Sequence, residues 1–211
     1  MTSLVDLIHR LYHFDDLIRW GGHAALITII FAETGVMAGF FLPGDSLLVT
    51  AGLFAATGEL GLSRLLIELS LAAIIGDSVS YAIGKKMGPA IFNHENSFFF
   101  NKKHLLRAHR FYDKYGTKTI VIARFVPILR TFAPVIAGVG TMSYRRFFLY
   151  NVVGGIGWVC SMILIGFWLG RSIPNIDRHV HKIILGIIFL SILPVVREIW
   201  MEHRLVRSKE A

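Results

Sequence analysis

The stretch ARFVPILRTFAPVIAGVG, residues 123–140, decides how the chain is read. It is apolar enough for a bilayer, yet it carries two arginines, Arg124 and Arg130, and two prolines, Pro127 and Pro134. An arginine at membrane depth costs about 2.5–3.5 kcal/mol on an insertion scale, so two of them require a partner or a ligand. Each proline removes a backbone donor and disfavours helix at the residue before it. The expectation is a helix broken between Val126 and Pro134, with a second half-helix starting at Pro134. Broken backbone at membrane depth is tolerated only inside protein or against a water-filled cavity. The stretch therefore reads as a re-entrant tip whose arginines hold an anion.

Composition sets the class around that tip. The chain has 211 residues, is 54% hydrophobic and has a mean hydropathy of +0.59, far above a soluble domain. It reads as an all-α integral membrane protein forming one membrane domain. The net charge of +8 marks cytoplasmic loops and contact with anionic membrane lipids, not nucleic acid. Cys160 is the only cysteine and lies in an apolar run, so no intrachain disulfide can form. The start of the chain lacks the basic region, apolar core and small-residue cleavage site of a signal peptide, so targeting is expected from the spans.

Residues 1–19 place Leu4, Leu7, Ile8, Leu11 and Phe14 at helical spacing, which predicts an amphipathic helix on the membrane surface or packed on the bundle. Residues 22–57 contain two apolar runs too short to cross a core of about 30 Å, separated by GVMAGFFLPGD. They read as a first re-entrant hairpin, with two full spans turning at Pro43–Gly44 as the rival. A span is predicted over 62–84, with Asp77 inside it, then a basic cytoplasmic loop over 85–116. Residues 117–142 repeat the hairpin plan. Further spans are predicted at 147–169 and 180–200, with a basic cytoplasmic tail at 201–211. The basic segments fall on one side if each span crosses once, and that side reads as cytoplasm.

The two units share one order of features: a hairpin, the dipeptide Ala-Gly at 51–52 or 137–138, then a serine at 63 or 143 leading into a span. Each unit crosses an odd number of times, so the second is inverted relative to the first. Inverted repeats with broken helices are a secondary-transporter plan. The tips carry opposite charges, Glu33 and Asp45 against Arg124 and Arg130. In one continuous helix the arginines would point about 240° apart, so the break is what would let both face one site. The return helices would aim their positive ends at that site, which suits a phosphate or carboxylate. The same four charges could instead only lock the hairpins together. Asp77 is a possible secondary member. The histidine pairs 104/109 and 179/181 lack acidic company, so no metal site and no cofactor is expected.

FAETG (31–35), FLPGDSLL (41–48), GDSVSYAIGKKMG (76–88), ARFVPILRTFAPVIAGVGTMSY (123–144) and NVVGGIGWV (151–159) together resemble the DedA family of bacterial inner-membrane proteins, related to the SNARE-associated Golgi-type proteins. The resemblance covers nearly the whole chain. It implies that the family's functional acids fall on Glu33 and Asp45 and its arginines on Arg124 and Arg130. It also implies recycling of the lipid carrier undecaprenyl phosphate across the inner membrane, driven by the proton gradient. The leading expectation is thus a proton-coupled lipid-phosphate flippase. Arg124 and Arg130 would bind the head of a polyprenyl lipid, and Glu33 and Asp45 would take protons. The alternatives are a proton-coupled ion or drug antiporter and an assembly factor without substrate. An enzyme is not expected, because no nucleophile or histidine–arginine constellation supports a phosphatase.

Overall fold

The computed structural model describes residues 14–36, 44–87, 116–140 and 142–173, which are helical apart from short turns. Most of the amphipathic segment at 1–19, the basic loop from 88 to 115, the span at 180–200 and the tail at 201–211 lie outside the described residues. In order, the helices are α1 (Phe14–Gly35), α2 (Gly44–Ala56), α3 (Leu62–Met87), α4 (Thr119–Ala123), α5 (Pro127–Val139) and α6 (Tyr144–Ser172). A 3-10 turn, Gly116–Lys118, leads into α4. α1 kinks at Gly22, whose φ of 49° is left-handed and suits a residue without a β-carbon.

Only α3 and α6 are long and apolar enough to cross a membrane among the described residues, at 26 and 29 residues. That is roughly 40 Å each, against about 20 Å for a 13-residue helix such as α2 or α5. Their outer faces are apolar: Ile67, Leu71, Ile75, Val79 and Ile83 recur every fourth residue along α3 and are exposed. Leu149, Val153, Ile165 and Trp168 are likewise exposed on α6. Meanwhile Glu33, Asp77, Arg124 and Asn151 are buried. Apolar surface outside and charge inside is the pattern of a membrane protein.

The break in the 123–140 stretch lies earlier than the prolines suggest. The chain turns at Arg124–Val126, and α5 starts at Pro127, not Pro134. Val126 is extended at φ −118° and ψ 110°, as a residue before proline prefers. Pro127 occupies the first helical turn, where its missing N–H costs nothing. Pro134 sits inside α5 and cannot donate to the carbonyl of Arg130, a local loss that packing on α3 offsets.

The helices are arranged around α3 and α6, which run antiparallel. Tyr81 stacks on Phe147 at 4.6 Å, and further along the pair Asn151 donates to the carbonyl of Ile74 at 3.0 Å. The basic end of α3 (Lys85, Lys86) therefore meets the start of α6 (Arg145, Arg146). α1 runs beside α3 in the same direction, from a His23–Glu68 contact of 2.6 Å to Thr34 against Gly76. Its last carbonyls, Thr34 and Gly35, accept from Ser80 Oγ at 2.8 and 3.0 Å, which satisfies acceptors left open at a helix end. α2 starts where α1 stops, with Gly44 against the Glu33 carboxylate, and its chain comes back to Leu62.

The two Ala-Gly dipeptides make matching contacts. A β-carbon on Gly52 would overlap the carbonyl oxygen of Ile163, and one on Gly166 that of Val49, so α2 and α6 touch backbone to backbone. A β-carbon on Gly138 would overlap the carbonyl oxygen of Tyr81, and one on Gly84 that of Val135, so α5 and α3 do likewise. Small residues at such crossings are how membrane helices pack without a hydrophobic driving force. Two apolar layers result. One holds Leu26, Leu47, Phe54, Leu69 and Ile163; the other holds Tyr81, Ile120, Ala133 and Phe147.

Candidate functional site

The buried charges form two tiers. In the first, Arg130 from the opening turn of α5 grips two acids of the first half of the chain, Glu33 of α1 and Asp45 of α2. Its Nη1 donates to Asp45 Oδ1 at 2.7 Å, and its Nη2 donates to Glu33 Oε1. Asp45 lies in the first turn of α2, and its Oδ1 also accepts from Trp158 Nε1 at 2.8 Å. The Trp158 ring lies under the Arg130 guanidinium, 5.2 Å from its centroid, a cation–π arrangement. Glu33 is pressed against the Cα of Gly44, where a β-carbon would collide with its carboxylate. Glycine is needed at position 44 for that approach.

In the second tier, Arg124 caps the end of α4, and its Nη2 donates to both Asp77 Oδ2 and Asn151 Oδ1. Asp77, Arg124 and Asn151 are each 4% exposed or less, so this tier is sealed. Gly154 and Gly155 of α6 make room for it: β-carbons there would lie 3.2 Å from Arg124 Cδ and 3.5 Å from Arg124 Cζ. Arg130, with 14% of its side chain exposed, is the more accessible arginine.

A cavity of about 10 Å³ lies between the tiers, lined by Glu33, Thr34, Asp77, Arg124, Arg130 and Trp158. That holds one water at most, not a phosphate. Glu33 Oε2 and Arg124 Nε are both buried and have no hydrogen-bond partner among the described residues. The arrangement is a closed set of two guanidinium forks held by carboxylates, with one small polar void where the tiers meet. Arginine forks match carboxylate and phosphate oxygens alike.

The expected residues are thus partly brought together. Glu33, Asp45 and Arg130 form one cluster. Arg124 pairs instead with Asp77, which joins the site as a full member. Three carboxylates then face two guanidiniums, so the cluster carries one excess negative charge if all five are ionised. Sequence reasoning missed Asn151 and Trp158. They lie seven residues apart on α6, which puts them on one helix face with the two glycines between them. That spacing was the available signal. Among the described residues, no group of histidine, cysteine and acidic side chains could hold a metal ion.

Comparison with known proteins adds independent information. The VTT domain matches residues 42–168. The chain is 43% identical to Protein DedA of Escherichia coli over 214 residues, 99% of this chain and 97% of that protein. It is 42% identical to an uncharacterized membrane protein of Mycobacterium leprae over 180 residues, 85% of this chain and 80% of that one. It is 34% identical to the inner membrane protein YqjA of Escherichia coli over 171 residues, 81% of this chain and 76% of that one. No solved structure matches it.

Proposed function

The chain belongs to the VTT-domain family of DedA and SNARE-associated membrane proteins, and on that premise we propose that it is a proton-coupled translocase for a lipid with a phosphate head. Undecaprenyl phosphate is the substrate that the family resemblance implies. The protein works in the inner membrane, with the basic ends of α3 and α6 and the C-terminus facing the cytoplasm. It is a carrier and performs no covalent chemistry.

The observation that carries this reading is the Arg130 fork, held between Glu33 and Asp45 of the other half of the chain. The carboxylates occupy the positions that phosphate oxygens would take. The void beside them is too small for a phosphate. Loading requires Arg130 to exchange its carboxylates for the lipid head, while the prenyl tail stays in the bilayer. The matching Ala-Gly contacts and the antiparallel α3 and α6 support an inverted repeat, in which two re-entrant hairpins meet at the site.

Coupling follows from charge. A lone buried charge is costly, and three carboxylates already face two guanidiniums before any phosphate arrives. An arriving phosphate adds one or two negative charges, and like charges in one site favour protonation. Glu33 or Asp45, displaced from Arg130, then takes up a proton. Protons are more available outside an energised inner membrane, which favours inward loading of the carrier. The test is flipping of labelled undecaprenyl phosphate in proteoliposomes under an imposed pH gradient. Wild type should respond to the gradient, whereas Glu33→Gln and Asp45→Asn should stop or flip without responding. A full wild-type response in both variants removes these carboxylates from coupling.

One observation favours a second reading, an assembly factor without substrate: each arginine is already paired within the protein. That reading expects Glu33→Arg combined with Arg130→Glu to keep function, because the pair is merely reversed. The transport reading expects the reversed pair to fold and fail.

A further inference from the structure

A cleft of about 510 Å³ opens at the basic end of α3, away from the two tiers. It is lined by Ser78, Tyr81, Ala82, Lys85, Lys86 and Tyr144. Ser78, Ala82 and the two lysines fall at i, i+4, i+7 and i+8, so one face of α3 presents a hydroxyl, a small gap and then ammonium groups. Both lysines are exposed, and no carboxylate lines the cleft among the described residues. The Tyr81 hydroxyl donates to the carbonyl of Met142 at 2.7 Å, which ties the start of α6 to α3 and holds the cleft walls together. At the rim the exposed Phe148 ring lies 5.9 Å from that of Tyr144. Aromatic rings beside lysines suit the membrane–water boundary.

The inner end of the cleft decides its meaning. Ser78 Oγ lies 3.4 Å from Asn151 Nδ2, and Asn151 holds Arg124 through its other amide atom. One residue therefore separates the floor of the cleft from the sealed arginine tier. We propose that this cleft is a second anion site, a staging point that binds the phosphate head of a membrane lipid before it reaches, or after it leaves, the arginines. The lysines attract the head, Ser78, whose hydroxyl donates to the Ile74 carbonyl at 2.8 Å, closes the inner end, and the rim leaves the tail in lipid. The staging role rests on the translocase reading; binding at the cleft does not.

The test uses the full chain in phosphatidylcholine nanodiscs. A Cys160→Ser background carries Ile83→Cys, an exposed position beside the cleft, labelled with an environment-sensitive fluorophore. Phosphatidic acid is titrated as the phosphate-headed lipid, with inorganic phosphate and diacylglycerol in parallel. A saturable response to phosphatidic acid, and none to diacylglycerol, is expected. A response to phosphatidic acid alone identifies a lipid source; competition by inorganic phosphate identifies a site that reads the head only. Lys85→Gln with Lys86→Gln should raise the half-saturating lipid fraction about thirtyfold, roughly fivefold for each surface charge removed. The response should persist in Arg130→Gln, which lacks the deep fork. Loss of the response in Arg130→Gln, with no effect of the lysine changes, would mean the probe reports the buried site and would overturn the proposal. So would a lysine effect below about threefold. In the flipping assay the lysine variant should need more lipid for half-maximal rate while keeping the rate at saturation. If wild type flips no phosphate lipid but the cleft still binds it, the translocase reading fails and the anion site stands.

Discussion

Asp77→Ala is the sharpest test of the second tier. Asp77 and Arg124 are each 4% exposed, and Asp77 is the only carboxylate bonded to Arg124 among the described residues. Removing one partner of a buried pair costs about 3–5 kcal/mol, because the other charge is left uncompensated. Here the remaining partner on Arg124 Nη2 is the neutral Asn151 Oδ1, and Nε is already unpartnered. The cost should sit near the middle of that range, about 4 kcal/mol, or roughly a thousandfold in the unfolding constant. Glu33→Ala makes the comparison. It leaves Arg130 with Asp45 and the Trp158 face, so about 1–2 kcal/mol is expected. Reversible unfolding by sodium dodecyl sulfate in mixed micelles, followed by circular dichroism, reads both. Asp77→Leu with Arg124→Leu should recover most of the loss, since an apolar pair often replaces a buried ion pair at no cost. If Asp77→Ala costs less than about 1 kcal/mol, or if the double variant is no better than the single, the charge on Arg124 is compensated from elsewhere and the two-tier account is wrong.

Arg124→Lys and Arg130→Lys should insert and fold but lose most flipping in proteoliposomes, because a lysine is a point charge and cannot grip two oxygens; full activity in both would show that charge alone suffices. Trp158→Phe keeps a ring under Arg130 but removes the N–H that fixes Asp45, and flipping should fall about tenfold with the fold retained, as expected for a hydrogen bond to a charged group. Gly138→Ala forces a β-carbon onto the Tyr81 carbonyl, and α5 can only move away from α3. A destabilisation of about 1–3 kcal/mol in the same unfolding assay is expected, and an unchanged midpoint would contradict the close crossing.

Much of this was legible in the chain. Period and hydropathy marked 62–84 and 147–169 as spans, and α3 extends the first by three residues at its C-terminal end, while α6 extends the second by three at each end. Charge at membrane depth singled out Glu33, Asp45, Asp77, Arg124 and Arg130. Partner choice was not legible, because it depends on which helix faces which. Arg124 and Arg130 are six residues apart, but the turn at 124–126 hands them to different helices and different acids. The preference of proline for the first helical turn is met by Pro127, which opens α5, and not by Pro134, which rides inside it. Asn151 and Trp158 lie in the NVVGGIGWV motif, but with no charge at membrane depth nothing there assigns them to the site. Their role follows once Gly154 and Gly155 are seen to make room for Arg124.

The crossed glycine contacts bear on how the molecule is made. α2 packs on α6, and α5 packs on α3, so each half of the chain is completed by the other. Gly52 leaves the ribosome roughly a hundred residues before the part of α6 it must touch, a delay on the order of 5–20 s at ordinary synthesis rates. For most of that time Glu33 and Asp45 have been synthesised and Arg130 has not. α1 and α2 therefore cannot settle on synthesis. They must wait at the interface or in the insertion machinery until the second half arrives. Two separately expressed halves, divided within 88–115, carry complementary surfaces and should find each other in the membrane. Either half alone should be a target for quality-control proteolysis.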